Sequence, residues 1–206
     1  MKKVLHIIAS PRGAQSRTLR ITGELIKKLK SLHGEVAIDT LNVFTEKLPE
    51  MNITRIQGKY MLMNGQELSG DAINAWEEIK AQIARFLAAD IIVISTPMWN
   101  FAIPYKLKHY IDIVWQPGFI FKYTDNGPVG LAAGRKVYVV STRGDDYSAG
   151  LATEPYDHVT PYLKTILGWA GLTDVSFITA QPMDANNEEG RETKIKEAIE
   201  QIEQLS

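Results

Sequence analysis

Short apolar runs alternate along this chain with segments whose apolar residues recur every three or four positions. That alternation limits the folds open to it more than any other feature. Val4-Leu5-His6-Ile7-Ile8-Ala9 reads as a buried strand. Leu19, Thr22, Ile26 and Leu29 then mark one face of a helix from about Thr18 to Leu32. Val36 to Leu41 gives a second strand, and residues 43–68 are irregular, with a short helix over about Ile56 to Met63. Ile73, Trp76, Ile79, Ile83 and Phe86 form a helical stripe, and Asp90 opens the strand Ile91 to Ile94. Pro104 suits a first helical turn, so a helix is predicted from there to about Trp115. After an excursion over 117–134, a strand over Lys136 to Ser141 precedes a helix from about Val159 to Ala170, which Gly171 ends. Val175 to Ile178 is the last strand, and Ile195, Ala198, Ile202 and Leu205 line a closing helix.

Five strands separated by helices imply a doubly wound α/β fold, a parallel sheet with helices on both faces. Near-continuous Val/Ile runs fit strands buried on both sides. The expected strand order is 2-1-3-4-5, in one domain over residues 1–206. In such sheets a ligand sits beyond the carboxyl ends of the strands, where strands one and three part. The loops after strands one, three and four are therefore the places to search.

Composition removes several classes of function. With 206 residues, 23 Lys+Arg, 24 Asp+Glu and a net charge of −1, there is no basic surplus for nucleic acid. The absence of Cys excludes disulfides, thiolate metal sites and a Cys nucleophile. The apolar run after Lys2 and Lys3 is shorter than the ~7–15 residues of a secretion-signal core. No run approaches the ~20 apolar residues of a membrane span. A cytoplasmic location with no membrane partner is expected. His6, His33, His109 and His158 lack H-E-x-x-H spacing, so no metal is expected, and no G-x-S-x-G elbow is present.

The first loop reads Ser10-Pro11-Arg12-Gly13-Ala14-Gln15-Ser16-Arg17-Thr18. It lacks both the dinucleotide and the P-loop glycine patterns. Its hydroxyls at Ser10, Ser16 and Thr18 stand beside a helix N-terminus, whose free amides and dipole favour an anion. The plainer possibility is that Ser16 or Thr18 only caps the helix. Arg12 and Arg17 are either phosphate partners or solvated. The second loop, Thr96-Pro97-Met98-Trp99-Asn100-Phe101-Ala102-Ile103-Pro104, places two aromatics and an amide at the sheet edge, which suits a flat heteroaromatic ligand. Ordinary core packing of Trp99 and Phe101 is the alternative. In the third loop, Ser141-Thr142-Arg143-Gly144-Asp145, Gly144 lets backbone approach a ligand. The alternative is that Arg143 and Asp145 only pair with each other at the surface.

With these loops in place the chain resembles the FMN-dependent NADH-azoreductases, flavodoxin-like quinone and azo-dye reductases, over essentially its whole length. The most specific stretch is Pro97-Met98-Trp99-Asn100-Phe101 followed by Ile103-Pro104-Tyr105-Lys106-Leu107-Lys108-His109-Tyr110-Ile111-Asp112. Phe121 to Pro128, Thr142-Arg143-Gly144 and Val159-Thr160-Pro161-Tyr162-Leu163 add to it. The resemblance implies a homodimer with non-covalent FMN in two sites near the interface, and NADH or NADPH as donor. Ser10, Ser16, Arg17 and Thr18 would hold the phosphate end. Met98, Trp99, Asn100 and Phe101 would hold the isoalloxazine, with Thr142, Arg143, Gly144 and Asp145 on its other edge. Trp99 stands where Tyr is common, Asp145 where a second Gly is common, and Arg17 in place of a small polar residue.

The cofactor carries the chemistry in such an enzyme, which agrees with the missing triad and metal cluster. Quinones would go to hydroquinones by two electrons and azo compounds to amines, in ping-pong turnover. The amides of Thr142 to Asp145 are the expected donors to the ring's carbonyl edge. Phe119, Phe121 and Tyr123 lie outside the five-strand pattern. Phe119 and Phe121 are expected at the partner interface, walling the substrate pocket. The alternative is that this segment folds back on its own core. The competing function is a flavodoxin-like electron carrier, which near-neutral charge and the 117–134 excursion disfavour.

Overall fold

The computed structural model describes residues 1–184 and 187–205. Along the chain run β1 (Lys2–Ile8), α1 (Arg17–His33), β2 (Val36–Asn42), α2 (Ile53–Met63), α3 (Asp71–Ala75), α4 (Glu77–Leu87) and β3 (Ile91–Pro97). Then come α5 (Tyr105–Val114), β4 (Phe121–Thr124), β5 (Gly127–Gly130), β6 (Lys136–Thr142), α6 (Thr160–Trp169), β7 (Val175–Ala180) and α7 (Glu188–Glu203). The main sheet has the order β2-β1-β3-β6-β7, with every pair parallel. With the separate β4-β5 hairpin set aside, this is the predicted order 2-1-3-4-5.

Alternation along each strand divides the core into two layers. Val4, Val93, Val140 and Ile178 face α1 and α7, meeting Ile21, Leu25, Leu29, Ile195 and Ile202. Leu5, Ile7, Ile92, Ile94, Val137 and Val139 face the other way, toward Ile79, Ile83 and Phe86 of α4 and Leu107 and Ile111 of α5. Leu163 and Leu167 of α6 complete that second layer.

Two helical segments differ from expectation. The buried face of α1 is Thr18, Ile21, Thr22, Leu25 and Leu29, whereas Leu19 and Ile26 flank it half-buried. The helix is turned toward the sheet by its threonines, which bond to Ser95 and Thr142. The stripe from Ile73 to Phe86 is two helices that meet at Trp76, and Ile73 is 46% exposed. Trp76 is fully buried and its Nε1 donates to the Arg55 carbonyl at 3.1 Å. Gly58 of α2 lies against that indole so closely that a Cβ there would overlap it. The excursion contains the hairpin β4-β5, which turns at Asp125-Asn126. Gly130 abuts the backbone at Ala170-Gly171 with no room for a Cβ, and the Ala132 amide donates to the Ala170 carbonyl at 2.9 Å. No helix among the described residues is long and apolar enough to cross a membrane.

Candidate active site

A cleft of about 220 Å³ lies over the carboxyl ends of β1, β3 and β6. It brings together Ser10, Ser16, Arg17, Thr18, Met98, Trp99, Thr142, Arg143 and Gly144, with Arg12 beside them.

Its polar end is the β1–α1 loop, where a 3₁₀ turn over Gly13–Gln15 leads into the helix. Ser16 caps α1, its Oγ accepting the Leu19 amide at 3.3 Å. The cap uses a lone pair and leaves the hydroxyl hydrogen free, so the capping and ligand roles are compatible. The first-turn amides of Arg17 and Thr18 precede the first intrahelical bond and are also free to donate. Ser10 is buried at the floor. Arg12 and Arg17 line the same end, and neither guanidinium is in an ion pair among the described residues.

Behind this loop runs a chain of hydrogen bonds. Thr22 Oγ1 donates to the Thr18 carbonyl at 2.9 Å and lies 2.7 Å from Ser95 Oγ. His6 Nε2 lies 2.8 Å from the same Ser95 oxygen. Because the Thr22 hydrogen is committed to a carbonyl, Ser95 donates to Thr22 and His6 donates to Ser95. The imidazole is thereby assigned as the Nε2–H tautomer. Burial lowers its pKa to about 4, so it is neutral at neutral pH. Thr18 Oγ1 and Thr142 Oγ1 are 2.6 Å apart, and one of the two hydroxyl hydrogens stays available to the cleft.

The second loop is a tight turn. Trp99 and Ala102 exchange backbone bonds of 2.8 and 2.9 Å, and Asn100 and Phe101 both have positive φ, 46° and 70°. Two successive positive φ values are the signature of a type I′ turn, which favours Asn-Gly. Asn suits the first position, while Phe at the second is strained. Trp99 is 37% exposed and Phe101 46%, so neither is a core residue. The Phe101 ring lies 5.4 Å from that of Tyr156 and 6.4 Å from that of Tyr147. The amides of Asn100 and Phe101 have no acceptor among the described residues. Asn100 and Phe101 stand outside the polar cleft. Trp99 and Asn100 line a neighbouring apolar cleft of about 530 Å³, together with Ile103, Tyr105, Lys108, His158 and Tyr162. There burial first, and then the Asp112 charge, push the Tyr162 phenol up to about 12. Lys108 Nζ is paired with Asp112 at 2.6 Å.

The third loop departs most from expectation. Arg143 is 4% exposed and its guanidinium turns away from solvent. Nη1 pairs with Asp157 at 2.8 Å and Nη2 donates to Thr160 Oγ1 at 2.5 Å. Arg143 therefore pairs with Asp157 and not with Asp145, which is exposed at the loop surface and accepts the Asp146 amide. The Arg143 amide is spent on the Ala180 carbonyl, which leaves only the Gly144 and Asp145 amides of this loop free. Asp145 is outside the cleft lining. Met183 and Asp184, after β7, complete the cleft. Their amides donate to the Gly144 carbonyl at 2.9 and 2.8 Å. Sequence reasoning missed both, although the fifth strand ends on the same sheet edge as the other three.

Phe119 and Phe121 are not at this site. Phe119 stacks on Trp76 at 6.5 Å, and Phe121 is 8% exposed within the α5–α6 side of the core. Within this chain the segment folds back on its own core, Phe119 against Trp76 and Phe121 against Trp169 of α6. Among the described residues no three His, Asp or Glu side chains converge as metal ligands.

FMN fits this donor set. A phosphate needs donors and positive charge, and the β1–α1 end supplies three hydroxyls, two free amides and two unpaired guanidiniums. A flat ring with carbonyls and an N–H needs free amides beside an aromatic wall, and the other two loops supply both.

A family model for the flavodoxin-like fold matches residues 2–205. The chain is 35% identical over 206 residues to an FMN-dependent NADH:quinone oxidoreductase of Nitratidesulfovibrio vulgaris, covering 100% of this chain and 99% of that protein. It is 39% identical over 185 residues to an FMN-dependent NADH:quinone oxidoreductase of Azospirillum brasilense, covering 87% of this chain and 86% of the relative. Among solved structures, an FMN-dependent NADH-azoreductase of Bacillus anthracis in complex with FMN superposes with a TM-score of 0.85 at 28% identity. That match covers 100% of this chain and 99% of the other.

Proposed function

Since this chain belongs to the flavodoxin-like family of FMN-dependent NADH:quinone oxidoreductases and azoreductases, we propose that the cleft holds FMN and turns NAD(P)H oxidation into two-electron reduction of quinones and azo compounds. It is an enzyme of the FMN-dependent, quinone- and azo-reducing class. The observation that carries the assignment of the site is the meeting, where β1 and β3 part, of an anion-binding loop and an aromatic turn with free amides.

In this reading Ser10, Ser16, Thr18 and the first amides of α1 donate to the phosphate, and Arg12 and Arg17 neutralise it. The free Gly144 amide donates to the ring from within the cleft, the free amides at Asn100, Phe101 and Asp145 donate where the ring extends past the cleft lining, and Trp99 walls it. FMN, when bound, supplies hydride acceptance and two-electron delivery, which no side chain here can provide. Asp184 sets a carboxylate in the cleft lining beside Gly144. The apolar cleft beyond Trp99 receives the flat acceptor, with Tyr162 neutral beside it. In this reading the product protons come from solvent, and Lys108, His158 and Tyr162 are among the polar side chains of that cleft.

One domain working in the cytoplasm, paired with a second copy, completes the proposal. The pairing is supported by a row of rings running from Tyr123 through Phe121 to Trp169, of which the two outer rings are 56% and 40% exposed. Two measurements test the function. Heat should release FMN, not FAD, from the purified protein. Initial rates of NADH against a quinone should give parallel double-reciprocal lines, because one ring face cannot stack both partners. FAD in the supernatant or intersecting lines would contradict it.

A further inference from the structure

Asp157 lies in no predicted site, yet it is tied to the two loops proposed to hold the ring. Its Oδ2 accepts from Arg143 Nη1 at 2.8 Å, and its Oδ1 accepts the Val159 and Thr160 amides at 2.9 and 3.0 Å. Arg143 Nη2 closes the figure on Thr160 Oγ1. One residue on, the His158 amide donates to the Phe101 carbonyl at 3.0 Å. One residue back, the Tyr156 ring packs on that of Phe101. Residues 156–160 thus grip the Trp99–Ala102 turn on one side and the Thr142–Asp145 loop on the other.

We propose that Asp157 is the positioning residue of the ring end of this site: through Arg143 and through its chain neighbours it fixes the spacing between the Trp99–Ala102 turn and the Thr142–Asp145 loop. The chemistry of the pair supports this. Arg143 and Asp157 have side chains 3% and 11% exposed, so the ion pair is shielded from water. A shielded pair is no strong source of stability, but it is a rigid one when its remaining donors and acceptors are also satisfied. The Asp157 carboxylate meets that condition with two backbone amides and a guanidinium, and Arg143 meets it at Nη1 and Nη2 but not at Nε, which is buried without a partner among the described residues. Burial raises its pKa, but the Thr160 amide, the Arg143 charge and the other hydrogen bonds outweigh it, and the carboxyl is held below its ordinary range. Arg143, the residue that the family motif would place on the cofactor, spends Nη1 and Nη2 on this strut and its amide on the Ala180 carbonyl. Catalytic geometry is sensitive to such supports, since a displacement of ~1 Å can cost ~100-fold.

The inference rests on FMN as the ligand, and the test separates the two. Apoprotein is titrated with FMN by fluorescence, and visible circular dichroism of the bound flavin is recorded, for wild type, Asp157→Asn and Leu163→Ala. Leu163 is a buried α6 residue whose side chain makes none of the strut's hydrogen bonds, and it controls for destabilisation of the helix alone. The expected result is that Asp157→Asn weakens FMN binding by about tenfold or more and alters the flavin dichroism. Leu163→Ala should lower the melting temperature and leave both flavin readouts at the wild-type values. If Asp157→Asn does not fold, Thr160→Val, which removes one strut contact, decides by the same readouts. Unchanged affinity and dichroism in the strut variant, or an equal loss in Leu163→Ala, would overturn the proposal. Wild-type protein that takes up no FMN would remove the functional reading beneath it.

Discussion

Trp99 and Ala102 exchange both of their backbone hydrogen bonds, and that closure holds the two residues between them in left-handed backbone. Asn tolerates the conformation and Phe does not, so Phe101 stores strain at the rim of the proposed ring site. The strain predicts an inverted preference. Phe101→Ala and Phe101→Gly lose the same ring contacts with Tyr147 and Tyr156. Only Gly is relaxed at φ 70°. Phe101→Gly should be more stable than Phe101→Ala by about 1–2 kcal/mol, the reverse of the order in a helix. Urea melts of the two proteins check it. Ala equal to or better than Gly would mean that the turn relaxes.

Ser16 should report two losses at once. Its oxygen caps α1, and removing a Ser cap costs about 1 kcal/mol. Its free hydrogen is assigned to the phosphate, and a bond to a charged group contributes about 1.5–3 kcal/mol. Ser16→Ala should therefore weaken FMN binding by roughly 10–100-fold as well as lower the melting temperature. A stability loss with unchanged FMN affinity would leave Ser16 a cap only.

Much of this arrangement is legible in the sequence. Both-face burial makes strands near-continuous Val/Ile runs, so all five are visible, and their order places the loops. The details that escape depend on contacts between distant segments. The break at Trp76 is invisible because Ala75 to Glu77 contain no breaker, and the indole is instead drawn to the Arg55 carbonyl. The α1 face is read correctly at Thr22 and Leu29 but wrongly at Leu19 and Ile26, because Thr18, which counts as polar in any hydropathy pattern, bonds inward and turns Ile21 and Leu25 to the sheet. Arg143 reads as a ligand residue because nothing local announces Asp157 fourteen residues later. Phe119 and Phe121 read as surface because their partners, Trp76 and Trp169, lie far away in sequence.

His6 gives a pH signature. The folded chain lowers its pKa from 6.5 to about 4 by burial. The unfolded chain therefore binds a proton that the folded one excludes, so stability falls as pH drops through that window and is level above it. At 1.36 kcal/mol per unit, the interval amounts to roughly 3 kcal/mol. Melting temperatures of wild type and His6→Asn, measured from pH 7.5 to pH 4, should diverge least at low pH, where the wild type has lost this contribution. Parallel curves would show that His6 is not held neutral.

Pairing of two copies can be separated from the integrity of the core. Tyr123→Ser with Trp169→Ser removes the exposed ends of the ring row and should shift sedimentation toward monomer with the circular dichroism unchanged. Phe121→Ser should instead lower the melting temperature, since that ring is packed within the subunit. A wild-type protein that is monomeric at assay concentration and fully active would contradict the dimer.

The central claim is that this site hands electrons from a nicotinamide to an aromatic acceptor through FMN. Anaerobic addition of NADH or NADPH to the purified yellow protein, followed by its visible absorbance, tests it most directly. One equivalent of nicotinamide per flavin should bleach the colour at a rate at least as fast as turnover, and a quinone added afterwards should restore it. A flavin that neither nicotinamide bleaches, but that a one-electron reductant does, would make the protein a carrier and contradict the account.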